Sequence, residues 1–146
     1  MKLTVTIDPT TPETEVSVRA PELTAEVRAI QTLAGKGQLR RIVGTRGTDA
    51  VVLDLAEILA FSTKDRTVVA HTSRGEWRVK TRIGELAEQL PTAEFVQISQ
   101  SEIVSLRAIS HLDLSATGTI SVQLRDGSRY FVARRALKSF RAALGL

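Results

Sequence analysis

Short segments in which apolar and polar residues alternate recur along most of this chain, separated by residues typical of turns. Ile120, Val122 and Leu124, for example, occupy every second position of segment 119–125. A period of two places apolar side chains on one face of a β-strand. Strands this short need neighbours, so the pattern predicts a mainly β protein built from antiparallel sheets with a few short helices.

Turn residues suggest how neighbouring segments connect. Asp126-Gly127 is a two-residue hairpin signal between segments 119–125 and 129–132. Arg74-Gly75 indicates another hairpin. Asp54 can cap a brief helical turn through Glu57.

Three segments have helical features. Leu23, Val27, Ile30 and Ala34 form an apolar stripe that Gly35 can end. Such a stripe needs a burial partner, which is either a second copy of the chain or the protein's own domain. Thr81 can cap a second helix that carries Ile83, Leu86 and Leu90, and Leu137, Phe140 and Leu144 mark a last helix.

The chain divides near Gln38. Residues 1–37 are predicted to form a β/α extension, with strands at 3–7 and 16–19 and the first amphipathic helix. Residues 38–146 are predicted to form the main domain. Gly35-Lys36-Gly37 is a plausible flexible joint between them.

The composition offers no support for catalysis. The chain has no cysteine and two isolated histidines, His71 and His111. No pair or cluster of residues has the spacing of a metal site, and no glycine-rich loop precedes a helix with Lys-Ser or Lys-Thr. We therefore expect a protein that is not an enzyme, with no cofactor, metal or small-molecule substrate. No apolar run is long enough to cross a bilayer. The absence of cysteine fits a reducing compartment, so we expect a cytoplasmic location.

The net charge is +4, and basic residues are concentrated near the C-terminus. A basic balance is compatible with nucleic acid or with an anionic membrane surface. The alternative is an ordinary solvated basic face. The concentrated residues are Arg125, Arg129, Arg134, Arg135, Lys138 and Arg141.

Several motifs follow one another in order from residue 38 onward. They are Val52-Leu53 with Glu57-Ile58-Leu59; Val68-Val69-Ala70-His71-Thr72 with Gly75-Glu76-Trp77; Ile83-Gly84-Glu85-Leu86 with Leu90-Pro91; the block Phe95, Ile98, Ser101, Ile103, Val104 and Leu106; and Leu124-Arg125-Asp126-Gly127 with Val132-Ala133-Arg134-Arg135. The ordered set resembles the LytTR family of bacterial DNA-binding domains.

That resemblance implies an elongated stack of antiparallel β-sheets that contacts double-stranded DNA through loops and strand ends. It further implies a stand-alone, sequence-specific transcriptional regulator that forms a homodimer on a repeated site. By analogy with stand-alone relatives, a small membrane protein could inhibit it. The implied DNA contacts are Lys64 and Arg66 in the loop 63–66, then Gln97, Ser99 and Gln100 in the central block, and Arg134, Arg135 and Lys138 at the ending.

The central block departs from the family pattern. Gln97, Ser99 and Gln100 stand where the family commonly has basic residues or histidine, and Glu102 stands where tyrosine is frequent. We expect lower affinity for DNA or an altered base preference. The alternative is a protein-interaction module on the same fold that has lost strong DNA binding.

Overall fold

The computed structural model describes residues 1–35, 39–115 and 117–146. In these residues, α-helices span Ala25–Gly35 (α1), Ile83–Gln89 (α2) and Leu137–Leu144 (α3). The strands are Arg41–Arg46 (β1), Asp49–Asp54 (β2), Ile58–Lys64 (β3), Thr67–Thr72 (β4), Gly75–Val79 (β5), Phe95–Ser99 (β6), Glu102–Ser105 (β7), Ile109–Leu114 (β8), Ile120–Leu124 (β9) and Arg129–Phe131 (β10). The prediction of a mainly antiparallel β fold is confirmed.

The chain separates into two compact units, Met1–Ala34 and Gly35–Leu146. The first contains α1, but the strands predicted at 3–7 and 16–19 are wrong, since neither segment pairs in a sheet. Their alternating apolar side chains are exposed, and a strand without a neighbour leaves its backbone groups to water. The predicted boundary near Gln38, and most of the proposed joint, lie outside the described residues.

Seven strands form one sheet in the order β2-β1-β5-β4-β3-β7-β6. β3 lies in its interior and pairs antiparallel with β4 and with β7. One face of the sheet carries a first core in which Phe61 of β3 and Trp77 of β5 pack with Ile83 and Leu86 of α2. The predicted apolar face of this helix is therefore buried against the sheet. Its N-cap is Arg82, which makes no side-chain cap, and not Thr81 as predicted.

The other face carries a second core. Ala60 of β3 and Ile98 of β6 lie there, together with a smaller sheet of order β10-β9-β8 and with α3. The alternation predicted for 119–125 is confirmed, because Ile120, Val122 and Leu124 of β9 are all buried in this core. Phe140 of α3 is fully buried as well, and a side chain of that size contributes about 1.5–3 kcal/mol of stability.

Two turns differ from their predicted form. Gln123 pairs with Arg129, and the Leu124 amide donates to the Ser128 carbonyl, so the hairpin loop is Arg125–Gly127 and has three residues. Gly127 supplies the positive φ that such loops require. Similarly, Thr72 pairs with Gly75, which makes Ser73 and Arg74 the turn. The Asp54 cap is confirmed, since its carboxylate accepts from the Ala56 amide.

Gly44 of β1 is required by close packing rather than by its backbone angles. A Cβ atom there would lie 2.7 Å from Trp77 Cβ and 3.0 Å from Leu53 Cδ1. The Trp77 ring is also covered by Arg46, whose guanidinium carbon lies 3.8 Å from the ring centroid. The guanidinium also donates to the carbonyls of Arg74 and Glu76, so this tryptophan has little freedom to move.

We predict that Gly44→Ala lowers the free energy of unfolding by about 1–3 kcal/mol, because the added methyl overpacks a rigid contact. Gly84→Ala is the matched control. Nothing lies within 4 Å of a Cβ at Gly84, which is inside α2, so this change should stabilise the protein by about 0.5–1 kcal/mol. The fluorescence of the single tryptophan reports unfolding of both variants. A Gly44→Ala variant as stable as the wild type would show that the contact yields easily.

Candidate nucleic-acid interface

The three segments predicted to contact DNA come together around the end of β6. The Thr63 amide of β3 donates to the Ser101 carbonyl at 2.8 Å, which holds the β6–β7 turn against the β3–β4 hairpin. The Ala133 amide donates to the Ile98 carbonyl at 2.8 Å, which holds the segment before Arg134 against β6. Segments far apart in sequence thus form one edge of the main domain.

The first segment is a tight hairpin and not the four-residue loop that was predicted. Thr63 and Lys64 belong to β3, and Lys64 pairs with Thr67, leaving Asp65 and Arg66 as the turn. Their φ angles are 51° and 64°. Positive φ at both central positions is what a type I′ hairpin turn requires, and glycine is strongly preferred at the second. Arg66 therefore occupies a backbone conformation that is unfavourable for its side chain.

A register shift separates the predicted residues of the central block. Gln97 pairs with Ile103, whereas Ser99 pairs with Glu102. Ile98 is the extra residue of this bulge, so Gln97 and Ser99 face opposite sides of the sheet. Gln97 lines a cavity of about 460 Å³ beside α2, together with Gly84, Glu88, Phe95 and Ser139 among others.

Ser99 is already engaged within the protein. Its hydroxyl donates to Glu102 Oε1 at 2.9 Å and accepts from the Ser101 amide at 3.3 Å. These bonds fix the turn that follows β6. Gln100 stands exposed at that turn. The Glu102 carboxylate therefore accepts a hydrogen bond from Ser99, and no cation pairs with it among the described residues.

The third segment begins directly after β10. Arg134 and Arg135 form a 3₁₀ turn with Ala136, and α3 starts at Leu137, close to the predicted arrangement. Both arginines and Lys138 are exposed. Among the described residues, none of the three side chains makes an ion pair or a hydrogen bond, and the same holds for Lys64 and Arg66.

Four arginines elsewhere in the main domain make internal contacts that the sequence did not reveal. Arg74 pairs with Glu57 at 3.1 Å, while Arg40 and Arg107 both pair with Glu94. Arg46 stacks on Trp77 near the β4–β5 turn, at the opposite end of β4 from Arg66. These four side chains are thus already engaged within the protein.

His71 forms a small polar cluster beside this edge. Its Nε2 lies 2.6 Å from Ser62 Oγ, and its Nδ1 lies 3.5 Å from Glu76 Oε1. Burial lowers the pKa of His71 below its ordinary value, and the nearby Lys64 adds to this. Glu76, Asp126 and Glu102 act in the opposite direction without cancelling the shift.

The order of hydroxyl, imidazole and carboxylate matches that of a nucleophilic triad, but two features oppose catalysis. The 3.5 Å separation from Glu76 exceeds the roughly 2.6–3.2 Å that orients a catalytic imidazole. Ser62 also pairs with Glu102 in the sheet, and that carboxylate would repel the oxyanion that develops on a substrate carbonyl attacked by Ser62. The cluster is better explained as packing of polar residues between strands.

Comparison with known proteins identifies the family. The model of the LytTr DNA-binding domain matches residues 49–145. The chain belongs to the LytTr DNA-binding domain family. The resemblance found in the sequence is thereby confirmed.

Two kinds of relative extend this result. Uncharacterized HTH-type transcriptional regulators of Staphylococcus aureus, from strains NCTC 8325 and COL, are 29% identical to this chain over 147 residues. The alignments cover 100% of this chain and 99% of each relative. The LytTr DNA-binding domain of a methyl-accepting/DNA response regulator from Bacillus cereus has a TM-score of 0.71 at 18% identity. It covers 74% of this chain and 99% of its own, and it shares the fold.

Despite the names of the Staphylococcus aureus relatives, the described part of this LytTr domain has no helix-turn-helix pair. A helix-turn-helix motif joins two helices by a short turn, whereas α2 and α3 are separated by five strands in the described ranges. Across the described part of the chain, no helix could span a membrane and no group of acidic or histidine side chains could hold a metal ion.

We predict that stability depends on the protonation of His71. Its lowered pKa means that the folded LytTr domain binds this proton less readily than the unfolded chain does. The contribution of neutral His71 to the stability of the fold is therefore complete above the ordinary pKa of 6.5. It is lost as the pH falls through the lower pKa that His71 has in the folded state. Lowering the pH from about 7.5 to about 5.5 should destabilise the wild type more than His71→Gln. His111→Gln, at an exposed position, is the control and should behave as the wild type does.

Proposed function

We propose that this chain is a transcriptional regulator that binds double-stranded DNA sequence-specifically through the edge formed by its three convergent segments. The observation that carries the proposal is the pair of backbone hydrogen bonds, Thr63 to Ser101 and Ala133 to Ile98, that join these segments. DNA-binding activity is supported by membership of the LytTr family. Regulation of transcription is supported by the names of the Staphylococcus aureus relatives, which match this chain over its whole length.

The distribution of charge supports the same surface. Lys64, Arg66, Arg134, Arg135 and Lys138 are exposed near this edge and hold no acidic partner among the described residues. A phosphate would therefore not have to displace an internal ion pair. Free guanidinium groups can take phosphate oxygens or the guanine edge in a bidentate manner.

Backbone strain at Arg66 also favours a functional role. Glycine would adopt the positive φ at position 66 without strain. The stability of the folded state alone therefore does not explain why a long basic side chain occupies this turn. Strain of this kind is often retained where the side chain is used. In this proposal the hairpin presents Arg66, and Lys64 beside it, to the DNA backbone.

The rival function is a protein-interaction module on the same fold. Two features of the central block favour this module. The bulge turns Gln97 away from Ser99, and the Ser99 hydroxyl is already hydrogen-bonded to Glu102. We propose that Gln100 remains available to DNA because it is exposed at the turn, and glutamine can pair with adenine. Selection of binding sites from random duplexes separates the two functions, since the module should enrich no sequence.

We further propose that the protein acts in the cytoplasm as a homodimer on a repeated site, and that it works by binding and not by catalysis. The exposed apolar residues of the extension, including Leu23 and Leu33, are consistent with a partner surface there. A small membrane protein as inhibitor remains a proposal from family analogy. Titrations against the selected duplex will also give the number of chains bound per site.

We predict that Arg135→Ala relaxes the preference for one base pair at a cost of about 1–3 kcal/mol, because Arg135 forks onto a guanine. The backbone here is well held, and the side chain is free among the described residues. Affinities for the selected duplex and its single-base variants provide the measurement. Arg74→Ala, which removes an equal charge at the far end of β4, should bind as the wild type does. Uniform weakening on all duplexes would assign Arg135 to a phosphate instead, and wild-type binding would remove it from the site.

We predict that Arg66→Gly weakens DNA binding while leaving the fold intact or more stable by about 0.5–1 kcal/mol, because glycine accepts positive φ without strain. Thermal unfolding and DNA titration measure the two effects separately. Arg66→Lys is the control, since it keeps both the charge and the strain and should retain most of the affinity. Unchanged affinity in Arg66→Gly would show that the turn does not touch DNA.

A further inference from the structure

A basic patch lies outside all of the segments discussed so far. Trp77 and Val79 of β5 face the first core, so Arg78 and Lys80 point to the opposite face, where both are exposed. Neither residue was singled out in the sequence, because single basic residues between buried ones are ordinary in a strand. Their significance comes from the register of the sheet.

The ladder places Arg78 in line with the proposed DNA edge. Ser99 pairs with Glu102, Glu102 with Ser62 and Ser62 with Val69. Val69 in turn pairs with Arg78. Paired residues share a face of the sheet, so Ser99 and Arg78 lie in one row on the same side.

Lys80 extends the neighbouring row. Val68 pairs with Val79, so the adjacent antiparallel positions are Thr67 and Lys80. Thr67 pairs with Lys64, which was predicted to contact DNA. Lys64 and Lys80 are thus separated by a single strand at the end of the sheet where the β3–β4 turn lies.

The patch borders a groove of about 450 Å³ between β1 and β5, and no acidic side chain lines it. Arg78 and Lys80 make no ion pair or side-chain hydrogen bond among the described residues. Arg41 also lines the groove, and the acidic Asp54 lies opposite it in the β1–β2 ladder. Arg78 lies opposite Thr45 and Val69 instead, so it has no acidic residue at a paired position.

Spacing indicates what these charges can reach. Four strand intervals separate β6 from β5, which is roughly 19 Å at about 4.8 Å per interval. The major groove of DNA is about 12 Å wide. A domain that contacts base edges near β6 therefore extends beyond the width of the major groove at β5. The phosphate backbone of the DNA, which borders the major groove, is the nearest source of negative charge at β5.

We propose that Arg78 and Lys80, at the β1–β5 groove, form a phosphate-binding site that holds duplex DNA flanking the sequence read by the three segments. The site acts on charge and carries no base preference. It rests on the proposed function, since it positions the same DNA. Each cation releases counterions on binding, so each contributes about 0.9 to the slope of log affinity against log salt.

The test is the full-length double variant Arg78→Thr/Lys80→Thr, with threonine chosen because it keeps a strand preference. Affinities for a selected duplex with long flanks are measured between about 50 and about 200 mM salt. The salt slope should become shallower by about 1.8, so the ratio of wild-type to variant affinity should shrink about tenfold over this range. Discrimination between single-base variants of the site should not change.

Arg74→Gln/Arg107→Gln is the matched control. It removes two charges that are already paired with Glu57 and Glu94, and it should keep the wild-type slope. Thermal unfolding checks that each variant is folded. If the wild type binds DNA and the β5 variant keeps the full slope, this inference is wrong while the proposed function stands. A wild type that binds no duplex refutes both.

Two other outcomes would also overturn the site. A loss of affinity that is equal at all salt concentrations would show that no phosphate contact was removed. If that loss came with a change in sedimentation, the patch would instead be a contact between copies of the chain. A change in base discrimination would assign the patch to readout of sequence.

Discussion

Strand β3 is buried on both faces, and the rest of the main domain depends on it. Phe61 packs into one core and Ala60 into the other, and neither has measurable exposure. Its irregular pairing with β4 between Ile58 and Ala60 allows Leu59 and Ala60 to enter the same core. A strand held from both sides is a rigid base for the hairpin that continues from it. The Asp65–Arg66 turn therefore continues from a strand whose centre is fully buried.

Much of the fold was predictable because its signals are local. The alternation in β9, the apolar stripe of α2 and the Asp54 cap each depend on neighbouring residues, and all three are confirmed. The strands at 3–7 and 16–19 failed for the opposite reason. Their alternation is as clear as that of β9, but a strand exists only where another strand pairs with it, and a local pattern does not contain that information.

The candidate site was predictable in its segments but not in its arrangement. The ordered motifs placed Arg134 and Arg135 correctly after a strand. Nothing in the sequence indicated that Gln97 and Ser99 lie on opposite faces, because a bulge is a property of two paired strands. The division between free and committed arginines was likewise hidden. It depends on partners such as Glu57 and Glu94, which are distant from their arginines in the chain.

The bulge at Ile98 has an evolutionary consequence. Ile98 is the extra residue of the bulge, and it is also fully buried in the second core. Loss of this residue would restore regular pairing between β6 and β7, but it would also remove a core side chain. The packing of the second core therefore opposes a change of length at this point, whereas a substitution at the exposed Gln100 disturbs neither core. The residues displayed beside the turn are free to vary in composition but not in number.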